Sequence, residues 1–500
     1  MIRQVLILGG GSAGLIAAIS LRKMLPALAV RLVRSSEIGV IGVGEGTTNS
    51  MPGFLFDFLK LSRGRFYAQA EPTWKLGIRF LWGPRDYFDY PFAFQLSGKW
   101  SHYARPSGYY AEEDFHGIGL GSALMEAGKA FPRNLSGGGG PDMRVPFGFH
   151  IENAKFVETL ESIAEELGVT FVEGKVSDTE RGPRGIEALR LEDGQRLVAD
   201  LFVDCSGFRS ELLGRALGEE YVDYGRSLFC DRAVIGGWKR TTEPVLPYTV
   251  AETMDAGWAW QIEHEHHINR GYVYSSQAIS DDVACEEFLR KNPKAPTSPR
   301  VVKFRSGRYR RVWVENVVAI GNSAGFVEPL EATALMTVTR QCRNLLLLLE
   351  DADLRPTETM RNLYNQLSNE TFDDTRDFLA LHYKCNTRLD TEFWRHCRAD
   401  TEMGALGPLL DFFRENGPSS LASLVLPSQD RNVFGLEGYL AILVGNRAPY
   451  QAKYGLTDGE RVIWNEMRRT FRHEAEQGLS VSESLGVIRS PLWHWKSDVS

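Results

Sequence analysis

Four consecutive apolar residues, Val5-Leu6-Ile7-Leu8, run directly into Gly9-Gly10-Gly11-Ser12-Ala13-Gly14, and a further apolar stretch spans Leu15 to Leu21. A short apolar run ended by glycines reads as a buried parallel strand, and the stretch after it as a helix. A second strand at Ala29-Val30-Arg31-Leu32-Val33 completes a βαβ order at the very start of the chain. Gly9 permits the tight turn, Gly11 lets a pyrophosphate approach the backbone, and Gly14 lets the helix pack on the strand. Ser12 and Ala13 fall at the helix N-terminus, which favours an anion. The spacing predicts a dinucleotide site in an α/β fold.

The ribose-binding acid expected about twenty residues on is missing. The second strand ends at Arg34, and the next acid is Glu37. Either Glu37 substitutes, or the ribose is held another way; Arg34 is a candidate to stack on adenine or an ordinary surface arginine. Gly42-Val43-Gly44-Glu45-Gly46-Thr47-Thr48 is a second glycine-rich stretch, in which Gly44, Glu45 and Gly46 allow close approach of a ligand. Gly321-Asn322-Ser323-Ala324-Gly325 follows the buried strand Val317 to Ile320, a placement suited to a further cofactor contact.

Composition excludes some classes. A net charge of −7 argues against a nucleic-acid binder. The 6 cysteines are scattered, with no Cys-x-x-Cys, which fits a reduced, cytoplasmic protein. The start carries no export signal, and the apolar run Leu345 to Leu349 is far short of the ~20 residues a membrane span needs. Residues 50–145 read as an irregular insertion with short strands, and Ser136 to Pro141 as an exposed mobile loop. Lys155 to Leu167 is amphipathic and ends at Gly168. Residues 1–333 are expected to form the nucleotide-binding core with β-rich insertions. Residues 334–500 are expected to be mainly helical and packed on it as one composite unit, with Trp493 and Trp495 as candidate anchors of the tail.

Trp258 and Trp260 stand two apart in Gly257-Trp258-Ala259-Trp260-Gln261-Ile262, so on a strand both indoles face the same way and build a rigid wall. The run Glu263-His264-Glu265-His266-His267 reads as a solvated hairpin end rather than a metal site, which would need three ligands with supporting partners.

Together the pieces resemble the flavin-dependent halogenases, in the tryptophan halogenase branch. Besides the glycine segments and the tryptophan pair, the resemblance is carried by Trp74-Lys75-Leu76-Gly77-Ile78-Arg79-Phe80, Asp204-Cys205-Ser206-Gly207, Gly271-Tyr272-Val273-Tyr274-Ser275-Ser276, Phe326-Val327-Glu328-Pro329-Leu330-Glu331, and Arg376-Asp377-Phe378 through Leu381-His382-Tyr383. It implies an α/β fold with an FAD-binding Rossmann-like core of the flavoprotein monooxygenase type, an inserted β-sheet and a helical C-terminal part. FAD contacts are implied at Gly9, Gly11, Ser12, Ala13, Gly14, Arg34, Gly44, Glu45, Gly46, Asn322 and Leu335.

The resemblance implies that FADH2, supplied by a separate flavin reductase, and oxygen convert chloride or bromide to hypohalous acid. Lys75 is the implied catalytic lysine, which holds or activates that oxidant: an ammonium can hydrogen-bond it, and a neutral amine can form a haloamine. Glu331 is implied to orient the oxidant or accept the ring proton. The backbone at Thr333 and Ala334 is implied to bind halide, and Trp258 and Trp260 to separate flavin from substrate. A homodimer is implied too.

The chain departs from the family pattern in four places. Glu263 stands where proline is usual. Ala332 and Ala334 stand where serine and glycine are common. Gln95-Leu96-Ser97-Gly98 replaces a His-Leu-Phe-Gly stretch, so Gln95 and Ser97 remove a histidine and one aromatic wall. The expected substrate is therefore an electron-rich aromatic of indole or phenol type other than free tryptophan. A flavin monooxygenase that hydroxylates without halide and a non-catalytic FAD-binding relative are the alternatives; retention of both Lys75 and Glu331 argues against the latter.

Overall fold

The computed structural model describes residues 1–37, 44–92, 116–134, 139–452 and 457–495. Its central sheet has six strands in the order Trp313–Val314, Val317–Ala319, Leu201–Asp204, Gln4–Leu8, Ala29–Arg34, Thr170–Glu173. All neighbours are parallel except the first pair. Val5, Leu6 and Ile7 are fully buried in its middle, as a strand covered on both faces requires. Helices Ser12–Met24, Asn153–Glu166 and Ala334–Asp351 cover the sheet, the first packing against the other two.

A second sheet has seven strands, in the order Arg300–Lys303, Arg232–Lys239, His267–Tyr274, Gly257–Glu263, Thr249–Met254, Gly77–Leu81, Phe88–Pro91. A small third sheet places Gly148–Ile151 between Glu45–Gly46 and Thr73–Lys75. From Ala334 onward every described regular element is helical. The longest is Glu358–Cys385, 28 residues, opened by the Thr357 hydroxyl accepting from Met360 N–H.

The region around residues 50–145 is more helical than its composition suggests. Helical turns occupy Ser50–Phe58, Arg63–Gln69 and Leu120–Ala127. Ser62 caps the second by accepting from Arg65 N–H, and Phe56, Phe66, Tyr67 and Phe149 fill an aromatic cluster beneath it. The aromatics are buried payload, not signs of irregular chain. Trp495 stacks on Tyr67, centroids 4.9 Å apart and 7° from parallel, and Trp493 lies over Gly140, so both tie the tail to the body. Gly140 is accordingly buried rather than exposed, and residues 135–138 of that loop lie outside the described residues. No helix among the described residues is long and apolar enough to cross a membrane.

Candidate active site

The glycine turn forms an open cradle at the head of helix Ser12–Met24. A Cβ at Gly14 would lie 1.9 Å from Gly9 O, and one at Gly9 would lie 2.2 Å from Cys205 O. Around Gly11, by contrast, there is space. Gly11 is the helix N-cap, no side chain caps it, and the first turn holds no acid. The leading N–H groups therefore face that space without an acceptor, which fits a pyrophosphate. The Ser12 hydroxyl donates to Asn153 Oδ1 at 2.9 Å, and Ala13 lies against Gly321, which joins the cradle to the turn holding Asn322. Leu335 is buried in the first turn of Ala334–Asp351. Arg34 sits over the Phe171 ring at 4.6 Å and pairs with Glu161 and Glu173 at 2.6 and 3.5 Å. Gly44 rests against His264 and Asn269, and desolvation lifts the Glu45 carboxyl to about 7.

A second centre forms around Lys75, at the end of strand Thr73–Lys75. The side chain is fully buried, and Nζ has no hydrogen-bond partner among the described residues. It lies 5.3 Å from the Phe92 ring centroid. A Cβ at Gly46 would meet Lys75 Nζ at 3.4 Å, Ala332 Cβ at 3.3 Å and Thr249 Oγ1 at 3.6 Å, so four separate segments converge there. Desolvation pushes the lysine from 10.5 down to about 8, and the nearby Glu331 charge opposes that fall.

Glu331 is buried, and its Oε1 lies 2.8 Å from His382 Nε2. His382 Nδ1 lies 2.8 Å from Phe378 O. A carbonyl can only accept, so Nδ1 carries the hydrogen on that side. His150, paired across the strand with Thr73, places Nε2 2.8 Å from Thr249 Oγ1. Burial and the Lys75 charge both push His150 well down.

The turn after Glu331 holds Ala332 and Ala334, two of the departures from the family pattern. The left-handed conformation falls on Ala332, at φ 56°, while Ala334 is already helical. A left-handed conformation costs an L-residue such as Ala332 roughly 1 kcal/mol. Ala332 N–H donates to Pro329 O at 3.0 Å. Thr333 is the N-cap, and its side chain does not cap the helix.

Trp258 and Trp260 lie on one face of Gly257–Glu263, ring centroids 6.1 Å apart. Trp260 fits because its strand neighbour is Gly271: a Cβ there would meet the indole at 2.0 Å. The expected solvated hairpin end beyond the pair forms only at its tip, where His266 is exposed. Glu263 is completely buried and His264 nearly so. The Glu263 carboxylate accepts from Arg240 and from Gln261 Nε2, the latter at 2.7 Å, and its carbonyl accepts from Thr73 Oγ1, two residues from Lys75. Burying a carboxylate demands a partner, and Arg240 supplies it from just beyond the end of strand Arg232–Lys239, which lies on the other side of His267–Tyr274 in the sheet. Among the described residues, no group of three or more His, Cys, Asp or Glu is arranged to hold a metal ion.

Gln95 and Ser97 lie outside the described residues. Lys75, Glu331, Ala332 and Gly46 are brought together; the nucleotide cradle is a distinct cluster. Sequence reading gave no role to His150, Glu328, His382 or Tyr383. The one visible signal was a pair of acids flanking Pro329-Leu330 in otherwise apolar sequence.

The family model "Tryptophan halogenase" matches residues 4–458. Tryptophan 7-halogenase KtzQ of Kutzneria sp. (strain 744) is 32% identical over 482 residues, covering 89% of each chain. The crystal structure of MibH, a lathipeptide tryptophan 5-halogenase, superposes with a TM-score of 0.87 at 36% identity, over 97% of this chain and 93% of that one. The tryptophan 6-halogenase SttH from Streptomyces toxytricini gives a TM-score of 0.87 at 28% identity, over 97% and 99%.

Proposed function

The chain belongs to the tryptophan halogenase family, and on that premise we propose that it places chlorine or bromine on an electron-rich aromatic of indole or phenol type other than free tryptophan, with Lys75 and Glu331 as the catalytic pair. It is a flavin-dependent halogenase using FADH2. When FADH2 is bound it would reduce oxygen by two electrons, and the oxygen so activated would carry out the two-electron oxidation of halide to hypohalous acid. The cradle at Gly9, Gly11, Ser12, Ala13 and Gly14 would hold the pyrophosphate, with Arg34, Gly44, Glu45, Gly46, Asn322 and Leu335 around the rest. The N–H groups at Thr333 and Ala334 would hold the halide.

The observation that carries the proposal is Lys75: a fully buried amine with an unpartnered Nζ, beside a buried carboxylate. Burial is costly for such a group unless function demands it. Nζ donates a hydrogen bond to the oxygen of the hypohalous acid and holds its halogen toward the ring. A carbon–halogen bond forms as the oxygen–halogen bond breaks, and the oxygen takes a proton from the Nζ ammonium and departs as water. Glu331 takes the ring proton and afterwards returns it to Nζ, and His382 at Oε1 fixes that carboxyl in place. Trp258 and Trp260 keep the aromatic away from the flavin.

The proposal includes a separate flavin reductase as the source of FADH2 and a cytoplasmic setting. It includes a homodimer, which light scattering tests. The main experiment supplies FAD, a flavin reductase, NADH, oxygen and bromide or chloride with a panel of indoles and phenols, and reads products by mass. Halogenated product that vanishes in Lys75→Ala is expected. Hydroxylated product formed without halide would overturn the reading.

A further inference from the structure

Glu328 stands three residues before Glu331, and the mechanism above does not use it. It is completely buried. Its Oε2 accepts from Tyr383 Oη at 2.9 Å and from Trp258 Nε1 at 3.3 Å, and its Oε1 has no partner among the described residues. Tyr383 Oη also lies 3.2 Å from Cys230 Sγ. Tyr383 follows His382 on the long helix Glu358–Cys385, so adjacent residues of one helix grip the two carboxyls at either end of Glu328-Pro329-Leu330-Glu331.

Burial pushes the Tyr383 phenol and the Cys230 and Cys397 thiols upward, toward their neutral forms. The same desolvation lifts Glu328 to about 7, while the bonds from Tyr383 and Trp258 work against the lift. A carboxylate in an apolar core costs more than two hydrogen bonds return. It needs a further justification, and the group it fixes is one half of the tryptophan wall. Trp260 is set by shape, through the space over Gly271. Trp258 pairs with Val273 instead and has its ring fixed through its N–H.

We propose that Glu328, held by Tyr383, is a positioning residue for Trp258: it locks the indole in the wall and so sets how much of the oxidant reaches Lys75 rather than being lost. The inference rests on the halogenase reading above.

Two readouts test it. In flavin-free protein, the indole N–H NMR resonance of Trp258, identified by its loss in Trp258→Phe, shifts upfield in Glu328→Leu and stays near its native position in Glu328→Gln, which keeps an accepting oxygen. In the loaded enzyme, halogenated product per FADH2 oxidised falls about fivefold in Glu328→Leu, the size one hydrogen bond carries. Trp258→Phe falls at least as far, and adding Glu328→Leu to it lowers the ratio no further, because the bond is already gone. Tyr383→Phe, which deletes a single atom and threatens the fold least, lowers the same ratio while FADH2 oxidation keeps its rate. An unshifted resonance in Glu328→Leu, additive losses in the double variant, or full coupling in Tyr383→Phe would overturn the proposal. Wild-type protein that gives no halogenated product would overturn the functional reading instead, while the resonance still reports on the hydrogen bond.

Discussion

The nucleotide cradle draws on six consecutive residues, Gly9 to Gly14, whereas the lysine pocket is assembled from segments around residues 46, 75, 150, 249, 331 and 382. The cradle works by leaving atoms out. Its glycines admit Cys205 O and Gly9 O at distances no Cβ tolerates, and its ligand-facing groups are backbone N–H. The pocket works by putting charged groups where the fold would do better without them. The two regions should therefore fail in opposite ways: the cradle by collision, the pocket by loss of chemistry with a gain in stability.

The largest test of that contrast is Lys75→Met, a nearly isosteric change. Halogenation should fall by at least about 10³-fold, within the range for loss of a positioned catalytic group. Stability should rise. The folded lysine titrates near 8 against an ordinary 10.5, so the unfolded chain binds the extra proton between those values. That difference corresponds to about 3 kcal/mol opposing the fold below pH 8, relieved as pH rises toward 10.5. Urea unfolding at pH 7 measures it. A Lys75→Met protein less stable than wild type would break the contrast.

Next in size is Glu263→Pro, which restores the family residue. It leaves Arg240, only 7% exposed, without its carboxylate. A buried charge stripped of its partner costs about 3–5 kcal/mol. Adding Arg240→Met should recover at least half of that loss in the same unfolding experiment. If Glu263→Pro alone is as stable as wild type, the buried pair is not what the hairpin end depends on.

Gly14→Ala tests the cradle. The added methyl meets the Gly9 carbonyl at 1.9 Å, and a backbone atom cannot swing aside as a side chain would. Overpacking of this kind costs about 1–3 kcal/mol, which should appear as a ten- to hundredfold weaker FAD affinity in a fluorescence titration. Lys75→Met, in the same titration, should bind FAD as wild type does.

The same contrast explains what was legible. A motif built from consecutive residues and absent side chains can be read directly, and the strand, turn and helix around Gly9 to Gly14 were. The alternation of Trp258 and Trp260 was readable because a period of two needs no partner. Glu263 and His264 were misread as a solvated end because their burial depends on Arg240, 23 residues away with the strand Thr249–Met254 between them in sequence. His382 meets Glu331 across 51 residues, and a lone histidine on a helix gives no sign of that. The helical turns within residues 50–145 were hidden by aromatic density, although Ser62 offered a capping signal.

The smallest expected effect concerns the pocket alone. With flavin saturating, the halogenation rate should fall as pH rises through about 8, because the ammonium form of Lys75 is the hydrogen-bond donor. The Glu331 charge is the lesser of the two influences on Lys75 and favours that ammonium. Glu331→Gln removes it without enlarging the side chain. Whatever activity remains should then show its inflection at lower pH, by less than about one unit, since desolvation still dominates. An inflection that moves upward, or stays where it was, would separate Glu331 from Lys75 electrostatically. A rate that climbs through pH 8 instead would assign the step to the neutral amine, and with it a haloamine rather than a hydrogen-bonded oxidant.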